Sequence, residues 1–461
     1  MRSRLLWRKP PFGTMTTQKA YIQTFGCQMN EHDSYRMVEV LARQGYAMTE
    51  EVDEASLVIL NTCSVRQNPE NKVYSLLGRL RRLKRKDSEV IIGVGGCVAQ
   101  QEGEKILERE RCVDMVFGPD NYFRLPEMIE QVRRGKRVLM TKWQPRAADR
   151  VQNFVPEEWV EAGHVEGCKA YVSITKGCDN FCTFCVVPYT RGREVSREAD
   201  NILREVRDLV SRGAKEIWLL GQNVNSYRAH DVGFYELLDR VSQVDGLKRL
   251  RFTSPHPNDW NNRLSDLMAE RATICNHLHL PFQAGSDRIL EAMNRSHTIA
   301  EYLNKIRYMR SINPGLELTT DLIVGFPTET DAEFEETLRV LEEVQFSQIF
   351  PFKYSPRPGT KAEKYEDDVP REVKEERLAC AIELQARITD ARMNTYIGTE
   401  QDILIDGANP KFRGAMNGRT DGFRPVTIHD CDAEIGDMVA ARITAYRQHW
   451  LDGEALAEAI V

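Results

Sequence analysis

Residues Cys178-Asp179-Asn180-Phe181-Cys182-Thr183-Phe184-Cys185 set three thiols at C-x3-C-x2-C spacing, directly after an apolar, strand-like run at 170–175. Three thiolates on one loop can hold three irons of a four-iron cluster and leave one iron open to an outside ligand, whereas a closed zinc site needs four ligands. His164 or Cys168 could complete a zinc site, so spacing alone leaves both chemistries standing.

The run at 170–175 opens an alternating series. Strand-like stretches recur at 216–220, 249–253, 276–281, 318–324 and 348–352, and helix-period stretches at 201–212, 234–244, 300–311 and 331–344 separate most of them. Six βα units imply an incomplete barrel or an open doubly wound sheet, which share this alternation. Upstream, apolar runs at 20–25, 57–61, 90–94 and 113–117 alternate with amphipathic stretches at 33–44, 70–86, 99–110 and 123–134, the pattern of a parallel sheet. Pro370 opens a long helical stretch to Met393. Short β-type runs at 402–405, 425–428 and 438–444, punctuated by glycines, then indicate a small all-β barrel. The fold class is α/β: an extension at 1–18, a parallel α/β domain at 19–140, a linker at 141–164, a partial (βα)6 core at 165–395 and the all-β domain at 396–461.

The 461 residues carry 63 Lys or Arg against 69 Asp or Glu, a net charge of −6, with 29% charged and 41% hydrophobic residues. Disorder and a membrane protein are both excluded by that balance, and no apolar run approaches the 18 residues of a span. Eleven cysteines, an odd number without a secretory run ahead of them, point to reduced thiols in the cytoplasm. Arg2, Arg4, Arg8 and Lys9 precede Met15, and the segment reads as a start-site extension more than a transit peptide.

A second set of thiols is defined by position. Cys27, Cys63 and Cys97 each follow the end of an expected strand. At the carboxyl edge of a parallel sheet, where open α/β sheets bind ligands, residues this distant in sequence can converge. Gly26-Cys27-Gln28, Asn61-Thr62-Cys63-Ser64 and Gly95-Gly96-Cys97 supply small or polar neighbours that let backbone approach a cluster. Three buried structural cysteines are the alternative. Cys112, Cys275, Cys380 and Cys431 stand isolated and read as structural.

The C-x3-C-x2-C run, with an aromatic residue before its third cysteine, resembles the radical S-adenosylmethionine (SAM) superfamily. The combination with a three-cysteine α/β domain and a terminal β-barrel is similar to the methylthiotransferases, over essentially residues 20–460. Thr24-Phe25-Gly26-Cys27-Gln28-Met29-Asn30, Asn61-Thr62-Cys63-Ser64-Val65-Arg66 and Val187-Pro188-Tyr189-Thr190-Arg191-Gly192-Arg193-Glu194 look like the MiaB-type, tRNA-modifying members. Members acting on a ribosomal protein, or on another modified adenosine, typically carry other residues where this chain has Gln28-Met29-Asn30.

What the resemblance implies is insertion of a methylthio group at carbon 2 of an isopentenylated adenosine beside the anticodon of tRNA, using two 4Fe-4S clusters and two SAM. Cys27, Cys63 and Cys97 would hold the cluster that carries the sulfur. Cys178, Cys182 and Cys185 would hold the one that cleaves SAM to a 5′-deoxyadenosyl radical. An aromatic C–H has no acidic proton for a base and no leaving group for a nucleophile, so radical chemistry suits the task. Around SAM, the resemblance and strand-end logic indicate Phe184 against the adenine and Gln222 and Asn223 where the superfamily has its Gly-Gly-Glu motif. They also point to Gln283 and Ser286 after the fourth strand, Ile323 lining the adenine pocket, and Gly325 after the fifth strand. The terminal domain resembles the TRAM module, an RNA binder. Its residues 396–461 hold six Lys or Arg against eleven Asp or Glu, so RNA contact is expected on one strip: Lys411, Arg413, Arg419 and Arg424, with Phe412 and Phe423 interleaved. The basic run Arg79 to Lys86 is a second candidate. Expected partners are tRNA and an electron donor such as a flavodoxin or ferredoxin, with the chain a cytoplasmic monomer. Within the family, methylthiolation of a ribosomal protein or another adenosine is the alternative substrate class; outside it, a zinc-stabilised RNA-binding protein without turnover.

Overall fold

A computed structural model describes residues 18–64, 67–142, 155 and 163–460. The extension expected at 1–18, apart from Gln18, and most of the linker expected at 141–164 lie outside the described residues. The chain forms two compact units. One takes the described residues up to Glu166 together with Tyr171–Asp179 and Val186–Arg197; the other takes Gly167–Ala170, Asn180–Cys185 and the described residues from Glu198 onward.

The first unit is built on six parallel strands: β1 Gln18–Thr24, β2 Tyr46–Met48, β3 Leu57–Thr62, β4 Ile91–Gly96, β5 Met115–Phe117 and β6 Val138–Met140, in the order β2-β1-β3-β4-β5-β6. Along β3, Leu57 and Ile59 enter one hydrophobic core while Val58 and Leu60 enter another on the opposite face. Successive side chains alternate across a strand, and a sheet covered on both faces buries both sets, which is why the run is unbroken and apolar. Helices α1 Gln28–Arg43, α2 Gln67–Lys86, α3 Cys97–Arg109 and α4 Leu125–Arg133 supply the covering layers. Strands β2 and β6 were not expected; three residues are too short to show a period. The helices α1 and α3 also begin several residues before their apolar stripe does. Cys27 is therefore the residue capping α1, and Cys97 opens α3.

In the second unit, Glu216–Leu220 pairs in parallel with Arg249–Phe252, a bridge from Leu250 to Ile274 carries the row onward, and His277–His279, Glu317–Val324 and Gln348–Lys353 follow, again parallel. Spatial order follows chain order without a reversal. That is the winding of a partial barrel, and it decides between the two topologies the alternation left open.

Helix Arg371–Asn394 leads to a closed five-stranded barrel of Glu400–Ala408, Met416–Arg419, Pro425–His429, Trp450–Ile460 and Met438–Arg447. Two of these strands, Met416–Arg419 and Trp450–Ile460, are polar or glycine-containing and escaped the pattern. The barrel's 419–424 loop caps the amino-terminal ends of the core strands. Phe423 meets the Trp218 ring edge-on at 5.1 Å, with the Arg251 guanidinium 4.8 Å from its ring centre. Arg249 donates to the carbonyls of Asp402 (2.7 Å) and Arg419 (2.7 Å), and the Asn276 N–H donates to Asp421 (2.8 Å).

Candidate functional site

Strand register brings the first three cysteines together. Thr24 of β1 lies opposite Asn61 of β3, and Thr62 of β3 lies opposite Gly96 of β4, so β1, β3 and β4 end at one level. Adjacent strands stand about 4.8 Å apart, and each cysteine follows such an end. Gly26 has φ +128°, and a Cβ there would lie 2.3 Å from Cys63 Cβ, so only glycine lets the Cys27 turn approach Cys63. The Cys27 thiol is pulled down to about 6, first by a hydrogen bond from Cys63 and then by the charge of Arg191, against the opposing effect of burial. Burial pushes the Cys97 thiol up, with Arg191 pulling the other way. Asn61, fully buried, donates to Asn30 O (2.8 Å) and Ser34 Oγ (2.9 Å), while Asn30 donates to Thr62 O (2.8 Å). These bonds lock the start of α1 to the end of β3.

Arg191 lies within this unit, 2% exposed. Its Nη2 donates to Asp33 Oδ2 (2.7 Å) and Asn30 Oδ1 (3.2 Å). Asn30, Asn61 and Arg191 stand in the motifs that carry the family resemblance, without an expected role at the site. For Asn30 and Asn61 the available signal is a polar residue close to a cysteine at an otherwise apolar sheet edge; Arg191, six residues from Cys185, has no such signal. Among the described residues no three His, Cys, Asp or Glu side chains close to single-ion distance. A polynuclear cluster takes each thiolate on a different iron, so three thiols at neighbouring strand ends, two of them feeling the Arg191 charge, fit an iron–sulfur centre.

Of the C-x3-C-x2-C run, Cys178 belongs to the first unit and Cys182 and Cys185 to the second. In the first, the Cys178 N–H donates to Gly192 O (3.2 Å). In the second, Thr183 is held by Met293 O (3.0 Å) and Ala292 O (2.9 Å), and the Ala362 N–H donates to Thr183 O (2.8 Å). Arg295 reaches Cys182 Sγ at 3.7 Å. Phe184 and Ile323 pack on one cluster with Met293, Phe326 and Tyr354 at the carboxyl ends of the strands, an apolar wall of the kind an adenine needs. The fourth zinc ligand offered by Cys168 is otherwise engaged, because its thiol donates to Ile405 O (3.4 Å) in the barrel. His164 stacks on Tyr35 at 4.4 Å. Cys380, grouped with the structural cysteines, is exposed.

The remaining cofactor candidates differ in what already occupies them. Asn223, buried, donates to Asp259 Oδ2 (2.7 Å), and Gln222 beside it is half-buried. Gln283 is buried in a left-handed conformation (φ 73°) with its Oε1 lacking a partner. Ser286 caps the short helix Asp287–Ala292 and donates to Glu333 Oε1 (3.0 Å). Gly325 lies under the Lys374 side chain, and its N–H donates to Glu329. Ser286 and Gly325 thus have structural duties of their own.

The basic strip needs correction. Arg424 is buried and pairs with Glu317 of the core at 2.7 Å, so its charge is spent inside the protein and is not presented to phosphate. Arg419 faces Asp406 at 3.4 Å and lies over Phe423, and Phe423 is in the inter-barrel contact already described. Lys411, Phe412 and Arg413 remain exposed. In the Arg79 to Lys86 run, Arg79 pairs with Asp53 at 3.5 Å, and Arg81 with Glu110 and Lys84 with Asp114 at 2.7 Å, which leaves Arg82, Arg85 and Lys86 on the exposed face.

Family models match three stretches: Uncharacterized protein family UPF0004 over residues 19–118, the Radical SAM superfamily over 172–341, and the TRAM domain over 394–456. The chain is 44% identical over 449 residues to the tRNA-2-methylthio-N(6)-dimethylallyladenosine synthase of Shewanella oneidensis, covering 95% of this chain and 92% of that one. The enzyme of the same name from Hahella chejuensis is also 44% identical, over 447 residues, with 95% and 98% covered. Among solved structures, the radical SAM methyltransferase TsrM from Kitasatospora setae superposes with a TM-score of 0.56 at 16% identity, covering 75% of each chain, a likeness of fold alone.

Proposed function

Because the chain belongs to the family of tRNA-2-methylthio-N(6)-dimethylallyladenosine synthases, radical SAM enzymes, we propose that it converts N6-dimethylallyladenosine in tRNA to its 2-methylthio derivative with two 4Fe-4S clusters. The observation that carries the two-cluster reading is the convergence of Cys27, Cys63 and Cys97 at three strand ends in register, apart in sequence from the C-x3-C-x2-C loop. When bound, a cluster-ligated SAM supplies hydrogen abstraction at an unactivated C–H, and the other cluster supplies sulfur.

The chain's own groups do the rest. Cys178, Cys182 and Cys185 hold three irons and leave the fourth to SAM, and Cys27, Cys63 and Cys97 hold the sulfur-bearing centre. Phe184 and Ile323 present an apolar surface to the adenine, while Gln222, Asn223 and Gln283 offer polar atoms to the amino-acid end. Ser286 and Gly325 act by shaping the loops that carry these contacts. Lys411 and Arg413, with Phe412 between them, hold RNA by phosphate contact and stacking, and Arg419 lines the edge of that surface. The domain allocation that accompanies this reading is a sulfur-carrying domain to residue 140, a radical core from 165 and an RNA-binding barrel from 396. Electrons come from a small carrier of the flavodoxin or ferredoxin class, and the enzyme works as a cytoplasmic monomer. No helix among the described residues is long and apolar enough to cross a membrane.

Nucleoside mass spectrometry of tRNA from cells lacking the gene tests the substrate. The 2-methylthio group should disappear while dimethylallyladenosine persists. Persistence of the methylthio nucleoside would turn the assignment to a ribosomal protein or another adenosine. Iron and zinc content after anaerobic purification tests the cofactor reading, which stoichiometric zinc without iron would defeat.

A further inference from the structure

Arg191 is one of the most deeply buried cations in the first unit. A guanidinium cannot shed its proton inside a protein, so its charge is present at every pH. Burying it costs several kcal/mol unless anions surround it. Asp33 supplies one carboxylate at 2.7 Å, itself 3% exposed. The thiols of Cys27 and Cys97 are the next groups to feel the charge, and Arg191 also donates toward Cys97. Two further groups face this pair: Lys176, which is paired with the carboxylate of Asp120, and His32, whose Nδ1 lies 3.8 Å from Asp33 Oδ1. Arg191 and Asp33 therefore form a fixed, water-excluded pair of opposite charges at the edge of the three-thiol site, where low polarisability strengthens their coupling to any further charge.

Resting on the three-thiolate centre proposed above, we propose that Arg191 is a positioning residue whose buried charge, balanced by Asp33, sets the reduction potential of the iron–sulfur centre on Cys27, Cys63 and Cys97. Reduction adds one electron to a centre that is already anionic. A cation beside it favours the reduced state and raises the potential; an anion lowers it. The two members of the pair must then act in opposite directions, although both hold the same local structure together.

The test uses the full chain with Cys178, Cys182 and Cys185 all replaced by Ala, which retains only the first centre, in a redox titration followed by electron paramagnetic resonance. Arg191→Gln should move the midpoint to more negative potential and Asp33→Asn to more positive potential, with Arg191→Lys staying closer to the parent. A merely structural pair would lower iron loading in both variants without moving the midpoint of what remains. Shifts of the same sign, or no shift in loaded protein, would overturn the inference. Should Arg191→Gln fail to load, Asp33→Asn decides alone: a positive shift sustains the role and any other result removes it. Iron content of the parent in the same titration is the separate check on the centre itself, and its absence would remove the underlying reading as well.

Discussion

A Cβ on residue 26 would sit 2.3 Å from Cys63 Cβ and 2.8 Å from its Sγ, at a φ of +128°. Neither the collision nor the backbone can be relieved without moving Cys63, because Asn61 and Thr62 just before it are locked by buried hydrogen bonds. Gly26→Ala should therefore cost about 1–3 kcal/mol and displace one of the three thiols proposed to hold the first cluster. The expected outcome is loss of roughly half the iron, since three thiolates bind where two do not, with the radical core still folded. Iron analysis beside a thermal melt distinguishes this from global unfolding; a variant with full iron would show that the Cys27 turn is not tightly constrained. Arg424 shows how a distant partner decides what a charge does. A cation in a Gly- and Phe-rich loop reads as a surface contact until its partner, Glu317, appears from 107 residues away.

At the scale of elements, the 419–424 loop joins the terminal barrel to the foot of the core. Glu317 receives Arg424, Arg392 and the Tyr396 hydroxyl, each within 2.8 Å. Burial alone would raise the Glu317 carboxyl, but the two arginines outweigh it and hold it below the usual range. Removing one partner of a buried pair leaves charge uncompensated, so Arg424→Met should destabilise the second unit by about 3 kcal/mol, the remaining partners of Glu317 keeping the loss from being larger. The pH dependence has a definite sign. A depressed carboxyl contributes stability above its unfolded value of about 4.3 and loses it as pH falls through the lower folded value. The difference between parent and variant in denaturant midpoint should thus be full at neutral pH and shrink below about pH 4. A difference that is independent of pH would mean Arg424 acts by packing alone.

For the whole molecule, the proposed function puts radical generation and sulfur supply on different thiols. Replacing Cys27, Cys63 or Cys97 with Ala should leave SAM cleavage to 5′-deoxyadenosine intact while abolishing methylthio product, and Cys182→Ala should abolish both. Quantifying the two products in parallel checks this, and a Cys63 variant making full product would give the first domain another task. The net charge of −6 confines RNA attraction to local cations. Neutralising Lys411 and Arg413 should weaken tRNA binding and flatten the plot of log affinity against log salt by roughly 0.7–0.9 per lost phosphate contact. Unchanged affinity and slope would move RNA contact to Arg82, Arg85 and Lys86.

Alternating apolar runs and helix periods were enough to place the parallel sheet, the alternating βα core and the terminal barrel, because side-chain period follows backbone geometry within a few residues. The placement of Cys27, Cys63 and Cys97 after three strand ends was equally legible, because a common edge is a property of parallel sheets. Register was not legible. Only pairing of Thr24 with Asn61 and Thr62 with Gly96 shows that Cys27, Cys63 and Cys97 reach one level, and only uninterrupted strand order separates a barrel from a doubly wound sheet. The short strands Tyr46–Met48 and Val138–Met140 exist because neighbours hydrogen-bond to them. Charges depended most on the tertiary structure. Whether Arg191 faces solvent or Asp33, and whether Arg424 faces RNA or Glu317, is set by partners more than a hundred residues distant, and burial decides the worth of a charge far more than its local sequence does.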